Sequence, residues 1–434
     1  MKHRFLVPAL MMGVVCLCLS LTPVHAQDDS GEPGFEEGLA DFSYGDYEGA
    51  AKIFWRLAGN GDERAQYYLA VMMDTGQGTG KDISGAANWF RKSADQGYLP
   101  AMSSMGYAYS TGRGVTKDDK QAFDWYTKAA QLGDAAAQNN LGVMLRDGRV
   151  YKKDFNLAVQ WFLQAATQGN ARAQYNLAAM YRLGQGVKAD GAEALRWYTS
   201  SARQGDIYAQ NTLGAMYRFG QGVDKDPAQA LLWYKLAADQ GRLDSMVSIG
   251  QMYEVMEGDS TKGPADAAVW YARAAKQGHV QAAHWLASLY EMGIGVPQDF
   301  NEAARWYKKA GEENNFIPSV VALARLYETG NGVTKDLEKA RLLYQRGADA
   351  GNPLSQYDLG RFYKSGLGGN TDLVEAYQWF ALAANALPSG ETRNAAVVSR
   401  IETANALSEA QLRDARRHVI DWKPAGQQPA PALQ

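Results

Sequence analysis

The side chains that most often carry out chemistry are scarce in this chain. Of its five histidines, only His279, His284 and His418 fall in the body of the sequence. None of the three belongs to an HExxH motif or shows the paired spacing of metal ligands, so we expect neither a metal site nor another cofactor. Both cysteines, Cys16 and Cys18, lie in an apolar stretch near the start, and the rest of the chain has no thiol nucleophile and no disulfide.

Two short segments resemble catalytic motifs without completing them. Residues 364–366 (KSG) are similar to the K-T-G element of serine β-lactamases, but the chain contains no S-x-x-K motif. Residues 76–82 are similar to a phosphate-binding loop, but Thr75 stands where the first glycine belongs and Asp82 where Ser or Thr belongs. We therefore predict that the protein is not an enzyme, with a β-lactamase-like hydrolase as the remote alternative.

The first 26 residues have the three parts of a secretory signal peptide. Lys2 and Arg4 give a positive start, residues 5–21 are apolar, and small-residue chemistry at 24–26 suits cleavage. We expect export, to the periplasm or out of the cell, after cleavage; an uncleaved membrane anchor is the alternative. No later stretch is long and apolar enough to span a bilayer, so the mature chain is not expected to cross a membrane.

The charge balance bears on the kind of partner. Without Lys2 and Arg4 the chain keeps 42 of its 44 basic residues against 47 acidic ones, a net charge of −5. A mildly acidic chain without a basic run argues against nucleic acid as a partner.

The strongest pattern in the sequence is an internal repeat. Residues 173–207 and 209–243 align without a gap, and the alignment extends in both directions at a spacing of 36 residues, with two steps of 37. Each unit opens with a small residue: Ala65, Ala101, Ala137, Ala173, Ala209, Ser245, Ala282, Ser319 and Ser355. A register held through nine units predicts an architecture in which each unit packs on its neighbours.

Three columns predict a first helix in every unit. Four residues after the opening residue stands a long aliphatic side chain, such as Leu141 or Leu177, and the next residue is small, as in Gly142 and Ala178. Eight residues after the opening residue stands a large side chain, usually Tyr: Tyr109, Tyr181, Tyr217, Tyr253, Tyr290, Tyr327 and Tyr363. We expect the opening residue and these two columns to share the apolar face of the helix.

A glycine loop and a second helix follow the first. The loop reads G-x-G-V in its fullest form, and its first Gly suits a left-handed helix end. An Asp then fits the N-cap of the second helix: Asp82, Asp118, Asp154, Asp190, Asp226, Asp299, Asp336 and Asp372. Reciprocal capping boxes are predicted where a Glu or Gln comes three residues later, at Glu193, Gln229, Glu302 and Glu375.

Inside the second helix an Ala recurs in every unit, and a Trp follows three residues later in all units but one, where Leu343 replaces it. The Trp residues are Trp89, Trp125, Trp161, Trp197, Trp233, Trp270, Trp306 and Trp379, and an aromatic residue follows each of them. We expect the small residues to let helices approach closely and the aromatic pairs to fill the space between neighbouring units.

These columns resemble the Sel-1-like repeat (SLR) family, relatives of the tetratricopeptide repeats. The resemblance covers about residues 35–387 through the pattern A-x-x-x-L-G-x-x-Y-x-x-G-x-G-V-x-x-D-x-x-x-A-x-x-W-Y-x-x-A-A-x-x-G. It implies an all-α fold, a right-handed superhelical solenoid of about ten antiparallel helix pairs. It also implies a scaffold or adaptor between partners; bacterial members are often exported and act in envelope regulation, polysaccharide machinery or host contact.

The predicted organisation has five parts. Residues 1–26 are the signal peptide and 27–34 a linker. Residues 35–387 form the repeat solenoid, and helical patterns in 388–422 are expected to cap its end. Residues 423–434 are rich in Pro and Gln and are predicted to be a disordered tail.

By resemblance to tetratricopeptide repeats, the first helices are expected to line a concave face that binds a partner. Nine residues after the opening residue, Arg in three successive units gives way to Glu in the next three. The candidate partner-binding residues are Asn139, Arg146, Arg172, Tyr175, Arg182, Asn211, Arg218, Glu254, His284, Glu291 and Glu328. Arg recognises carboxylates well, which favours an acidic peptide segment as the ligand. The alternative is that these long charged side chains merely solvate helix ends.

The function that these features favour is an exported, periplasmic scaffold or regulatory adaptor for a protein or peptide partner. A polysaccharide- or peptidoglycan-associated scaffold is the alternative, because tyrosines such as Tyr67, Tyr175 and Tyr357 could stack on sugar rings. Hydrolytic activity has been associated with cysteine-rich relatives that carry a disulfide in each unit, whereas this chain has none after residue 26.

Overall fold

The chain is all-helical wherever its computed structural model describes it, in residues 33–255 and 262–425. This described part holds twenty-two helices and divides into two compact units, the first ending at Ser201 and the second beginning at Ala202. The predicted all-α solenoid of antiparallel helix pairs is confirmed within each unit. The signal segment 1–26 and most of the linker and tail lie outside the described residues, and the predicted domain boundaries stay a prediction.

The first unit begins with a 10-residue helix and continues with helices of 13 residues. Consecutive helices from α1 to α9 pack on one another. Their bounds are α1 Phe35–Tyr44, α2 Tyr47–Gly59, α3 Glu63–Thr75, α4 Ile83–Asp95, α5 Leu99–Thr111, α6 Asp119–Gln131, α7 Ala135–Asp147, α8 Phe155–Thr167, α9 Ala171–Leu183 and α10 Gly191–Arg203, the last of which runs across the unit boundary.

The second unit repeats the same plan and adds two helices after the last repeat. Helices α11 to α21 pack consecutively, and α22 packs back on α20. Their bounds are α11 Ile207–Phe219, α12 Pro227–Asp239, α13 Leu243–Val255, α14 Lys262–Lys276, α15 Val280–Met292, α16 Phe300–Gly311, α17 Ile317–Thr329, α18 Leu337–Asp349, α19 Pro353–Ser365, α20 Leu373–Ala386, α21 Glu391–Asn405 and α22 Glu409–Asp421.

The first helices of the repeats are the odd-numbered helices from α3 to α19. One of the three columns that they bury differs from the prediction. The opening residue Ala137 and the following Leu141 are buried, as expected. The third buried column comes seven residues after the opening residue, not eight: Met72, Ala108, Met144, Met180, Met216, Met252, Leu289, Leu326 and Phe362. Seven residues complete nearly two turns, whereas the eighth residue is rotated by about 80° from the opening residue. The predicted Tyr column, such as Tyr181, is therefore only half-buried.

The predicted Asp caps form, but the reciprocal capping boxes do not. The Asp299 carboxylate accepts from the Asn301 and Glu302 backbone N–H groups at 2.9 and 3.1 Å. A capping box would need the Asp299 N–H as its second donor, and this group already donates to the carbonyl of Tyr290 at 3.0 Å. The Glu302 side chain binds Arg305 instead, at 2.6 Å. The same main-chain bond uses the cap N–H at three further sites: Asp190 to Tyr181, Asp226 to Tyr217 and Asp372 to Tyr363.

The aromatic residue that follows the Trp is buried in the core in every repeat except the first of them, where Phe90 is half-buried. Phe162 is fully buried, and its ring lies against Gly142 so closely that an added Cβ would be 2.7 Å from it. Gly214 and Tyr234 repeat this contact. The tryptophans lie nearer the surface, although none of the eight is exposed. The two residues of the predicted aromatic pair therefore have different places: the Trp lies nearer the surface, and the residue after it packs on the first helix of its own repeat.

A buried glutamine, to which the sequence patterns assigned no role, joins consecutive repeats. Gln138 is 3% exposed, and its Nε2 donates to the carbonyl of Ala130 in the preceding repeat at 3.1 Å. Its Oε1 accepts from Gln168 Nε2 at 2.8 Å. The glutamine at the same position of other repeats also donates to a backbone carbonyl of the repeat before it: Gln66, Gln174, Gln210 and Gln356. Each bond satisfies polar groups that would otherwise be buried without a partner.

Candidate partner-binding faces

In the first unit, the predicted residues Asn139 and Arg146 join an amide network across two first helices. Asn139 is 6% exposed, and its Oδ1 accepts from Asn176 Nδ2 at 2.8 Å. Arg146 donates from Nη1 to Asn176 Oδ1 at 3.3 Å and from Nε to Asp147 Oδ1 at 2.8 Å. Two of the Arg146 nitrogens are therefore positioned by protein groups, and Asp147 offsets part of its charge.

The other predicted residues of this unit lie on α9. Arg182 is exposed, and its Nε lies 3.5 Å from the hydroxyl of Tyr198. The half-buried Tyr175 ring packs against Tyr198 with centroids 5.5 Å apart. Burial raises the pKa of Tyr198, and the Arg182 guanidinium partly offsets that rise. Arg172 is exposed at the start of the helix. This part of α9 therefore carries two exposed arginines and a half-buried tyrosine, and their role in partner binding stays a prediction.

In the second unit, Asn211, Arg218 and Glu254 are spread over α11 and α13. The Asn211 Oδ1 accepts from Ser245 Oγ at 2.7 Å, and Arg218 Nη1 donates to Gln251 Oε1 at 3.0 Å. Glu254 accepts from the hydroxyl of Tyr271 at 2.6 Å. Among the described residues no Lys or Arg side chain pairs with Glu254. Its carboxylate remains exposed at the end of α13.

The remaining two glutamates take part in structural ion pairs. Glu291 accepts from Tyr307 at 2.7 Å and from Arg325 of the next repeat at 2.9 Å. Glu328 binds Tyr344 and Arg361 in the same way, at 2.7 and 2.8 Å. Both carboxylates are mostly buried, and their negative charge is offset by the arginines. A partner that approaches this part of the face meets ion pairs rather than free anions.

The predicted residue His284 is held in an aromatic setting. Its Nδ1 lies 2.9 Å from Ser319 Oγ, and its ring contacts those of Tyr307 and Phe316 at centroid distances of 5.5 and 5.4 Å. Burial lowers the pKa of His284, and the nearby Glu291 carboxylate partly opposes this. The imidazole is therefore favoured in its neutral form.

The two lookalike motifs belong to the repeat itself. Gly366 is the left-handed cap of α19, and Lys364 pairs with Glu402 at 2.6 Å. Gly76 is the left-handed cap of α3, and Asp82 caps α4 by accepting from Gly85 N–H at 2.9 Å. Over the ranges that the structure describes, no group of three His, Cys, Asp or Glu side chains is arranged to hold a metal ion.

Sequence reasoning missed an exposed apolar residue at the end of consecutive first helices. Phe219, Val255 and Met292 are the last residues of α11, α13 and α15 and are 53%, 74% and 54% exposed. The sequence does carry a signal for it: the residue ten positions after the opening residue is apolar in these three repeats and polar in most of the others.

Comparison with known proteins identifies the repeat. The family model described as Sel1 repeat matches residues 63–98, 99–134, 135–170, 171–206, 207–241, 244–279, 280–315, 318–352 and 353–386. The chain belongs to the Sel1 repeat family. Sel1 and related tetratricopeptide-like scaffolds generally mediate protein–protein interaction and are generally non-catalytic. No curated protein sequence matches the chain.

Solved structures include other Sel1 repeat proteins. A Sel1 repeat protein from Oxalobacter formigenes shares 33% identity over 56% of this chain and 100% of its own, with a TM-score of 0.52. A protective antigen present in uropathogenic Escherichia coli strains, which displays an SLR fold, shares 29% identity over 85% of this chain and 93% of its own, with a TM-score of 0.42. Within the described part of this Sel1 repeat chain, every helix is too short or too polar to cross a membrane.

Proposed function

We propose that this protein is an exported, non-catalytic scaffold that binds an acidic segment of a partner protein on the first-helix face of its first unit. The observation that carries the proposal is the placement of Arg146 and Arg182. Arg146 reaches Asn176 on α9, and Arg182 lies six residues further along that helix. Six residues of helix rise about 9 Å, which matches about three residues of an extended peptide.

The chemistry of the face suits carboxylates. Arg182 is exposed, and within the described residues its one protein hydrogen bond is the long contact to Tyr198. Arg146 is held in place by Asn176 and Asp147, so less side-chain freedom is lost when it binds. Guanidinium groups bind carboxylates through paired, charge-assisted hydrogen bonds. We expect acidic residues about three positions apart in the partner segment.

A glycan-binding role has less support. The three tyrosines that were candidates for sugar stacking are half-buried. The Tyr67 ring contacts Phe90 at 5.6 Å, Tyr175 contacts Tyr198 at 5.5 Å, and Tyr357 contacts Phe380 at 5.8 Å. These rings are used for internal packing, which leaves less of each face for a ligand.

The binding proposal is tested by charge reversal. A photoreactive amino acid replaces Ala179, which is half-buried on α9 between Asn176, the contact of Arg146, and Arg182, and it captures the partner in cells. The partner is then purified for affinity measurements. We expect Arg146→Glu with Arg182→Glu to weaken binding by at least about tenfold. The control, Lys152→Glu with Lys153→Glu, makes the same change in charge at exposed loop positions. Equal affinities for wild type and the arginine variant would contradict the proposal.

Export is tested separately. The pattern of residues 1–26 leads us to expect that the protein recovered from the periplasm or the medium begins at Gln27. Mass spectrometry of the intact protein measures this directly. A mature protein that still begins at Met1, or one found in the cytoplasm, would contradict the proposed export.

A further inference from the structure

The last residue of each first helix changes character along the chain. From α3 to α19 these residues are Thr75, Thr111, Asp147, Leu183, Phe219, Val255, Met292, Thr329 and Ser365. The second unit therefore presents three consecutive apolar ends, followed by polar ones. We call Phe219, Val255 and Met292 the apolar stripe.

The apolar stripe is exposed beyond what single surface residues explain. Its members are 53%, 74% and 54% exposed, although each ends a helix whose other apolar residues are largely buried. Isolated apolar residues on a surface need no explanation, whereas apolar residues in register on successive elements mark an interaction site. A helix end can accept Thr or Ser here, as α17 and α19 do. The repeat itself thus does not require the apolar residues.

The charges beside the stripe change sign once, from Arg218 to Glu254. Arg218 lies over the ring of Phe219 at 5.0 Å and is half-exposed. Glu254, next to Val255, keeps an exposed carboxylate whose one hydrogen bond in the described part of the chain is to Tyr271. Glu291, next to Met292, is offset by Arg325 at 2.9 Å. The stripe is therefore bordered by one available cation and then one available anion.

We infer that the ends of α11, α13 and α15 bind an extended segment of a partner protein that carries apolar side chains over the stripe, an acidic residue opposite Arg218 and a basic residue opposite Glu254. Side chains of α11 and α13 contact each other, as in the bond from Arg218 to Gln251, and helices in contact lie about 8–10 Å apart, which an extended chain covers in about three residues. The segment therefore has its acidic and basic residues about three positions apart, with apolar residues beside them.

This surface does not depend on the arginine face of the first unit. Its preferred ligand has both charges and apolar anchors, whereas the Arg146 and Arg182 face selects acidic residues alone. Peptides that lose binding through changes in the stripe and peptides that lose binding through changes in the arginines therefore report on different sites.

The test uses random peptides displayed on phage and selected on the purified full-length protein. Selected peptides are synthesised, and their affinities are measured by fluorescence anisotropy. The stripe variant is Phe219→Ser, Val255→Ser and Met292→Ser. Its matched control is Leu232→Ser, Val269→Ser and Leu342→Ser, which removes exposed apolar side chains of similar number from the second helices of the same unit.

We expect a class of peptides with an acidic and a basic residue about three positions apart whose affinity falls at least about tenfold in the stripe variant and stays within about twofold in the control. Glu254→Lys should weaken these peptides, and replacing their basic residue by Glu should restore binding to that variant. A selection that yields no such class, or equal losses in both triple variants, would overturn the inference. Persistence of purely acidic peptides on the stripe variant would not rescue it, because those belong to the arginine face.

Discussion

The hydroxyl of Tyr307 donates to the Glu291 carboxylate of the same repeat, with Oη and Oε2 2.7 Å apart. The pairs Tyr271 with Glu254 and Tyr344 with Glu328 repeat this bond. Where the column holds arginine, as at Arg182, the tyrosine oxygen accepts instead. A phenol can both donate and accept, so one buried tyrosine suits either charge.

This relationship predicts the effect of Tyr307→Phe. Removing the hydroxyl leaves a mostly buried carboxylate with one fewer donor, so we expect the free energy of unfolding to fall by about 1–2 kcal/mol. Urea denaturation followed by circular dichroism measures the change. Tyr290→Phe is the matched control, because within the described residues the Tyr290 hydroxyl has no hydrogen bond. Equal effects of the two substitutions would show that the Glu291 bond adds no stability.

The glycine that faces Phe162 gives a packing prediction. In Gly142→Ala the new Cβ would lie 2.7 Å from the Phe162 ring, so the ring must move. Helix α9 carries Ala178 at the same position, which indicates that a shift is possible. We expect a loss of about 1–2 kcal/mol. Gly59→Ala is the control, since no atom lies within 4 Å of its added Cβ, and it should be neutral or slightly stabilising.

Alkaline pH should destabilise the first unit through buried tyrosines. Burial raises the pKa of Tyr126 from 10.0 to about 12. Because the folded state holds the proton more tightly, its contribution is fully present below pH 10 and is lost between pH 10 and 12. The loss amounts to about 3 kcal/mol for a group of this kind. Tyr126→Phe should flatten the decline in stability over this range, whereas the exposed Tyr107→Phe should leave it unchanged.

Acid should destabilise the second unit through His284. Burial lowers the pKa of this imidazole below 6.5, so the folded state prefers the neutral form. Its contribution is present above pH 6.5 and is lost as the pH falls through the folded pKa. We expect His284→Gln to reduce the drop in melting temperature between pH 7 and pH 5. The exposed His418→Gln is the control, and an identical pH dependence of both variants would refute the role of His284.

The sequence was sufficient for features that depend on local periodicity. The Asp caps, the left-handed glycines and the invariant alanines follow from rules that act within one or two helical turns. The reciprocal capping box at Glu302 failed because the donor it needs, the Asp299 N–H, is used by Tyr290 of the previous helix. Such competition is a tertiary contact, and motif spacing alone does not reveal it.

The sequence predicted where the residues of the candidate site lie better than it predicted which of them are paired with other side chains. Glu291 and Glu328 stand in the predicted column, but their negative charges are offset by Arg325 and Arg361, which lie 34 and 33 residues away and belong to the next repeat. The apolar stripe was missed for another reason. A helix-ending residue such as Met292 can be covered or exposed, and periodicity does not distinguish the two.

The glutamine contacts have a consequence for how the chain folds and varies in length. Gln168 meets Gln138 across 30 residues, and Asn176 meets Asn139 across 37, so neighbouring layers are joined by short loops of chain. Closing such loops requires little entropy, and folding can start at any layer and spread in both directions. Since each joint repeats the last, excision of one 36-residue period would rejoin like surfaces and shorten the protein without creating a new interface.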